Sequence, residues 1–264
     1  MLPTLLLSVF IWAQQPIKVM VIDSGVTPIQ ELKSYLPSHG IGGFDYSDKH
    51  NHGTSMAYLI AYGSPADDPL PPSKVKIESC NIFYATLLAE DPTSSFYWID
   101  LFMIKTVVDK NKWINQKIMQ ATVACLKRAL KENHQYINMS FSGSIRYNAE
   151  HELIKELDSR GVYMTMSAGN YKMNLNINCD QYPLCYIKES SLKHSFGIGA
   201  GSLSEPCSYS NYASWLQWVP TCDFKVLSND GKSVVSRGTS GASALYLHGL
   251  IKKHLGITNK EKRK

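Results

Sequence analysis

The stretch IKVMVIDSG, Ile17 to Gly25, sets the architecture. Ile17, Val19, Met20, Val21 and Ile22 form a short apolar run rich in β-branched residues, and it stops at Asp23, Ser24 and Gly25. A nearly continuous apolar run of strand length suits a strand buried on both faces, which points to a parallel sheet. Asp23 then falls at the strand's carboxyl end, the edge where open α/β sheets hold their chemistry.

The same pattern returns downstream. Val75, Ile77, Ile82 and Phe83 resemble a second buried strand, and Ala85 to Asn115 mixes a loop with a helix of its own. A long helix is predicted from Gln116 to Lys131, with Ile118, Thr122, Cys125, Leu126 and Ala129 on one face. It leads into a strand from Tyr136 that ends in the polar tip Ser140, Phe141, Ser142, Gly143. Next come a helix over Glu150 to Ser159 capped by Gly161, and a strand over Val162 to Met166 that reaches Ser167, Ala168, Gly169 and Asn170. A glycine-rich strand spans Phe196 to Ala200, and an aromatic surface loop covers Cys207 to Trp218. Helix and strand alternate with short connections, so the expected fold class is α/β: a three-layer sandwich with a mainly parallel central sheet.

Composition narrows the class. With 264 residues, 44% of them hydrophobic and 19% charged, the chain suits one large domain with a full core. The net charge of +5 is scattered apart from the tail Asn259 to Lys264, which reads as a solvated end and not as a nucleic-acid surface. Leu2 to Trp12 form an uncharged apolar run followed by Ala13, Gln14 and Gln15. Such a run is too short to span a bilayer but suits a signal peptide over residues 1–13, leaving 14–264 as the mature domain, secreted or periplasmic, with no stable membrane anchor. The other reading of the run is a buried first segment. Six cysteines, an even number, agree with export. Cys179 with Cys185 would close a small loop, and Cys207 with Cys222 would flank a hairpin region. Cys80 and Cys125 are equally readable as free buried thiols. The sequon at Asn138 falls in a buried strand and is discounted for glycosylation.

Three separated stretches carry candidate chemistry. Asp23 ends a strand. His52 stands at the entrance of a helix opened by Gly53 and Thr54, where the helix dipole favours a neutral imidazole; His50 is its near neighbour. Ser240 sits among the small residues Gly238, Thr239, Gly241, Ala242, Ser243 and Ala244 at a second helix start, a setting that exposes a hydroxyl to a closely approaching backbone.

The order Asp, His, Ser is the one found in subtilisin. The blocks VIDSGV (21–26), HGTSMA (52–57), INMSFSG (137–143), SAGN (167–170) and GTSGASA (238–244) stand in matching order, and through them residues 17 to 255 resemble the subtilisin-like serine proteases. The resemblance implies a secreted serine endopeptidase with Asp23, His52 and Ser240 as catalytic triad. Asn170 and the Ser240 backbone N–H would form an oxyanion hole. Ser140, Phe141, Ser142, Gly143, Ser167, Ala168 and Gly169 would line the substrate site. It further implies a peptide or protein substrate, a monomer, and no cofactor; the family's calcium sites do not map residue by residue, so no metal ligand is assigned.

Departures from the family pattern are Ser55 where His is usual, Tyr58 and Ser142 where Gly is usual, and Ala244 where Pro is usual. Cleavage after Ala13 would also leave no recognisable propeptide. These departures motivate a second reading, a catalytically idle subtilase fold that binds peptides or a protein partner. Retention of Asp23, His52, Asn170 and Ser240 together favours the enzyme. His52 in HGT also speaks against the acid-active serine-carboxyl peptidases, which use a carboxylate as base.

Overall fold

The computed structural model describes residues 15–38, 44–83 and 107–258. The segment read as a signal peptide, most of Ala85 to Asn115 and the basic tail lie outside the described residues.

Among the described residues, six strands make a parallel sheet in the order β2-β1-β3-β4-β5-β6. They are β1 (Ile17–Asp23), β2 (Val75–Asn81), β3 (Tyr136–Met139), β4 (Tyr163–Ser167), β5 (Ser195–Ala200) and β6 (Gln217–Val219). β1 is buried on both faces, as its apolar run requires. Val19 and Val21 face one helical layer, α1 (His52–Tyr62) and α5 (Thr239–His254); Met20 and Ile22 face the other, α2 (Val107–Lys131), α3 (Asn148–Ser159) and α4 (Cys185–Ser190). The three-layer α/β sandwich expected from the alternation is therefore present.

Individual elements agree to within a few residues. α2 begins before Gln116, and α3 begins at Asn148 and ends against Gly161, whose φ of 78° only glycine adopts freely. The hairpin is displaced from its expected place. β7 (Asp223–Leu227) and β8 (Ser233–Arg237) pair antiparallel just after Cys222, because Ser228 to Gly231 make the tight turn between them, with Gly231 at φ 76°. Cys179–Cys185 and Cys207–Cys222 are disulfides, and Cys80–Cys125 is a third. The last pairing joins the end of β2 to α2.

After β1 the chain crosses to β2 on one side of the sheet and then to β3 on the other. The carboxyl ends of β1 and β3 part at that reversal, which opens a crevice there. Asp23 stands on one of its lips and Ser140 on the other.

Candidate active site

Asp23, the last residue of β1, is 1% exposed. A carboxylate this deeply buried must be paired. Its Oδ1 accepts the backbone N–H of Ser24 at 2.7 Å, and its two oxygens lie 2.8 and 3.0 Å from His52 Nδ1. Since a carboxylate only accepts, Nδ1 carries the proton and Nε2 keeps its lone pair. Gly53 makes this approach possible. A Cβ there would lie 2.1 Å from the carbonyl oxygen of Gly25, so only glycine lets the first turn of α1 press against the loop after β1.

The start of α1 is held by a residue that sequence reasoning missed. Asp48 is buried; its Oδ2 accepts the backbone N–H of Thr54 at 2.8 Å and the Thr54 hydroxyl at 2.7 Å, while Oδ1 accepts the Ser24 hydroxyl and the His50 N–H. It caps the helix from outside the helix, because Asn51 at the cap position, with φ 63°, makes no side-chain cap bond. A carboxylate just ahead of HNHGT was the available signal.

Electrostatics at His52 differ from the sequence expectation. The helix start favours a neutral ring, but the Asp23 carboxylate outweighs it and, against the opposing effect of burial, holds the His52 pKa above its ordinary value.

Ser240 is the second residue of α5, so its backbone N–H has no partner within the helix. Its hydroxyl donates to the carbonyl oxygen of Ser140 at 3.0 Å. Asn138 braces this corner from the core: Nδ2 donates to Thr165 Oγ1 at 3.1 Å and Ser243 Oγ at 3.0 Å, and Oδ1 accepts the Ser140 hydroxyl at 2.9 Å. Asn138 is fully buried, in keeping with its rejection as a glycosylation site.

Asn170 follows β4. Its Oδ1 accepts the Thr239 backbone N–H at 2.8 Å and the Thr239 hydroxyl at 3.1 Å, which fixes the oxygen's side of the amide and turns Nδ2 away as a donor. The Thr239 hydroxyl in turn accepts the Gly169 N–H at 2.9 Å.

These groups border one cleft of about 360 Å³, lined by Asp23, His52, Ser140, Phe141, Ser142, Ser167, Gly169, Asn170 and Ser240, with Ser24, His50, Phe83 and Tyr171. Two residues expected at the substrate site lie off it. Ala168 is buried beneath the cleft, and Gly143 exchanges both backbone hydrogen bonds with Tyr182, at 2.9 and 2.8 Å, and lines a neighbouring cleft. His52 is the histidine that reaches Asp23; His50 is exposed, and its ring lies edge-on to Phe83. The unusual residues are accommodated. The Ser55 hydroxyl bridges the carbonyls of Asn51 (2.8 Å) and Leu227 (3.1 Å), Tyr58 stacks on Tyr62, and α5 runs unbroken through Ala244.

No family model matches the chain, and no curated protein matches its sequence. Solved structures do match. A cold-adapted subtilisin-like serine proteinase aligns at TM-score 0.60 and 18% identity, covering 92% of this chain and 76% of its own. The structure of the subtilase cytotoxin SubAB assembly aligns at TM-score 0.61 and 16% identity over 90% of this chain and 75% of its own. The epidermin leader peptide processing serine protease (EpiP) from Staphylococcus aureus aligns at 0.59 and 15% over 91% of this chain and 66% of its own. Identities this low speak for architecture and not for residue roles. With its parallel sheet, helical layers and crevice between β1 and β3, the chain has the subtilisin-like fold.

Proposed function

We propose that the chain is a serine endopeptidase whose nucleophile is Ser240, acting in an oxidising compartment after export. The observation that carries the reading is the His52 Nδ1–Asp23 bond of 2.8 Å beside a serine at a helix start in the same cleft. A packing role needs no such combination.

In this reading Ser240 Oγ leaves the Ser140 carbonyl, attacks the carbonyl carbon of a peptide bond and gives its proton to His52 Nε2. Asp23 holds the tautomer and stabilises the imidazolium that forms. Asn170 Nδ2 and the Ser240 backbone N–H donate to the oxyanion. His52 then returns the proton to the departing amine, and water, activated by the same imidazole, releases the acyl group. An extended substrate would lie along Ser140 to Ser142, its own N–H groups replacing the Ser240 hydroxyl on the Ser140 carbonyl. Gly143 takes no part, since Tyr182 already uses its backbone groups. Three disulfides and the apolar run before Ala13 support export. Among the described residues no helix is long and apolar enough to cross a membrane.

Fluorophosphonate labelling tests the reading directly. Oxidised, folded protein should label at one serine, and Ser240→Ala and His52→Ala should both abolish labelling. Folded protein that stays unlabelled, or Ser240→Ala protein that labels as well, would refute it.

A further inference from the structure

Away from the cleft, the end of α2 makes a second cluster of chemistry-bearing side chains. Asn133 turns left-handed at φ 58°, and two backbone bonds lock the turn, Asn133 N to Leu130 O at 3.4 Å and His134 N to Ala129 O at 3.0 Å. Glu132 and His134 are thereby fixed on either side of Asn133. Gln135 tethers the turn to β1, donating its N–H to the Lys18 carbonyl at 3.1 Å and accepting the Lys18 N–H at 2.7 Å. Glu78 faces the turn from the edge strand β2. One ligand atom each from Glu78, Glu132 and His134 lies within 4.8 Å of the other two.

Two features of this cluster call for a cation. Carboxylates so close repel unless a proton or positive charge lies between them. His134 is 2% exposed, and its ring nitrogens are poorly served: Nε2 meets the Glu78 carboxylate as an ion pair at 3.3 Å, too poorly aligned for a hydrogen bond, and Nδ1 meets no partner among the described residues. A buried imidazole with one nitrogen unserved and the other badly aligned is costly. Lys18 does not meet the need. Its ammonium is 3.9 Å from Glu78 Oε1 and donates to the Glu132 main-chain carbonyl at 3.2 Å, hydrogen-bonding neither carboxylate nor imidazole.

We propose that Glu78, Glu132 and His134 form a divalent transition-metal site, with Zn²⁺ as the best-suited ion, that clamps the end of α2 to β2. One imidazole and two carboxylates suit zinc, whereas calcium takes oxygen ligands alone. Tetrahedral coordination puts neighbouring ligand atoms about 3.4 Å apart, so the three side chains draw in by about 1 Å. The fourth position is left to water. The long, partly exposed Glu78 and Glu132 side chains can make that movement, and the locked turn holds the histidine in place. The role is structural, and it stands whether or not the cleft is a protease site.

The full oxidised chain, stripped with EDTA, is titrated with ZnCl₂ by calorimetry beside Glu132→Gln, Lys18→Met and His52→Ala. Saturable binding of one equivalent with a rise in Tm is expected, weakened about tenfold or more in Glu132→Gln. Lys18→Met, which removes a competing charge, should bind more tightly, and His52→Ala should keep this binding although it removes the histidine–carboxylate pair of the cleft. An extra zinc edge with nitrogen and oxygen neighbours in X-ray absorption of the Glu132→Gln protein equal to that of the parent would overturn the assignment. So would absence of saturable binding, binding lost in His52→Ala and kept in Glu132→Gln, or preference for Ca²⁺ over Zn²⁺.

Discussion

The Asp48 carboxylate accepts the Ser24 hydroxyl at 2.8 Å, and that hydroxyl in turn accepts the Gly53 N–H at 3.0 Å. Through Ser24 the loop after β1 is tied both to Asp48, ahead of α1, and to the first turn of α1. Asp48→Ala would take the acceptor from the Thr54 N–H, the Thr54 hydroxyl and the His50 N–H, while the Ser24 hydroxyl keeps Asp23 Oδ1 at 3.2 Å. A loss of about 3 kcal/mol in urea unfolding is expected. Fluorophosphonate labelling of Ser240 should slow as well, although no residue of the proposed triad has changed.

His52 gives a pH signature with two sides. Its folded pKa lies above the ordinary value of about 6.5 because of Asp23, so the neutral base forms only as pH climbs past that range. A labelling rate that rises through a midpoint above 6.5 and then levels off is expected. Asp23→Asn should lower the midpoint and cut the rate by about 10⁴, a magnitude taken from trypsin. Stability runs the other way. The protonated His52–Asp23 pair contributes fully below about 6.5 and its contribution is lost as pH rises through the higher folded value. Chemical denaturation across the same pH range reads this out.

Glu150 titrates in the interior, beside the neighbouring cleft. Burial pushes its carboxyl up to about 7, partly opposed by the Tyr186 hydroxyl at 3.1 Å. A raised carboxylate pKa means stability that is present below the ordinary value and lost as pH rises through about 7. The shift corresponds to about 3 kcal/mol. Glu150→Gln should unfold at a higher temperature than the parent at pH 8 and at nearly the same temperature at pH 4, as differential scanning calorimetry would show.

The Cys80–Cys125 disulfide closes a loop 45 residues long between β2 and α2. Chain entropy assigns it about 4 kcal/mol. The double variant Cys80→Ala with Cys125→Ala should show most of that loss in urea. Unchanged stability would mean that the pair is incidental.

The fold was legible wherever apolar runs alternated with helical faces, and Asp23, His52, Asn170 and Ser240 were legible as candidates because each ends a strand, follows a glycine or opens a helix. What stayed hidden was long-range. Asp48 looks like any loop carboxylate until Thr54, Ser24 and His50 are seen to converge on it. Cys80 and Cys125 carry no spacing cue, since only the packing of α2 on β2 brings them together. Gly143 reads as part of an open tip, and its pairing with Tyr182 depends on a segment 39 residues away. The hairpin lies past Cys222 because the positive-φ turn at Gly231 joins its two strands, while Cys207 to Trp218 feeds β6 of the parallel sheet.

Helix α5 lies across β3, β4 and β5 and against α1, and it carries both the serine and the Thr239 hydrogen bonds that orient Asn170. It is also the final described element to be synthesised. A growing chain thus holds Asp23, His52 and Asn170 long before Ser240 joins them. Assembly of the cleft is the same event as closure of the domain, so in the proposed reading any chemistry at Ser240 would wait until there is a folded body around it.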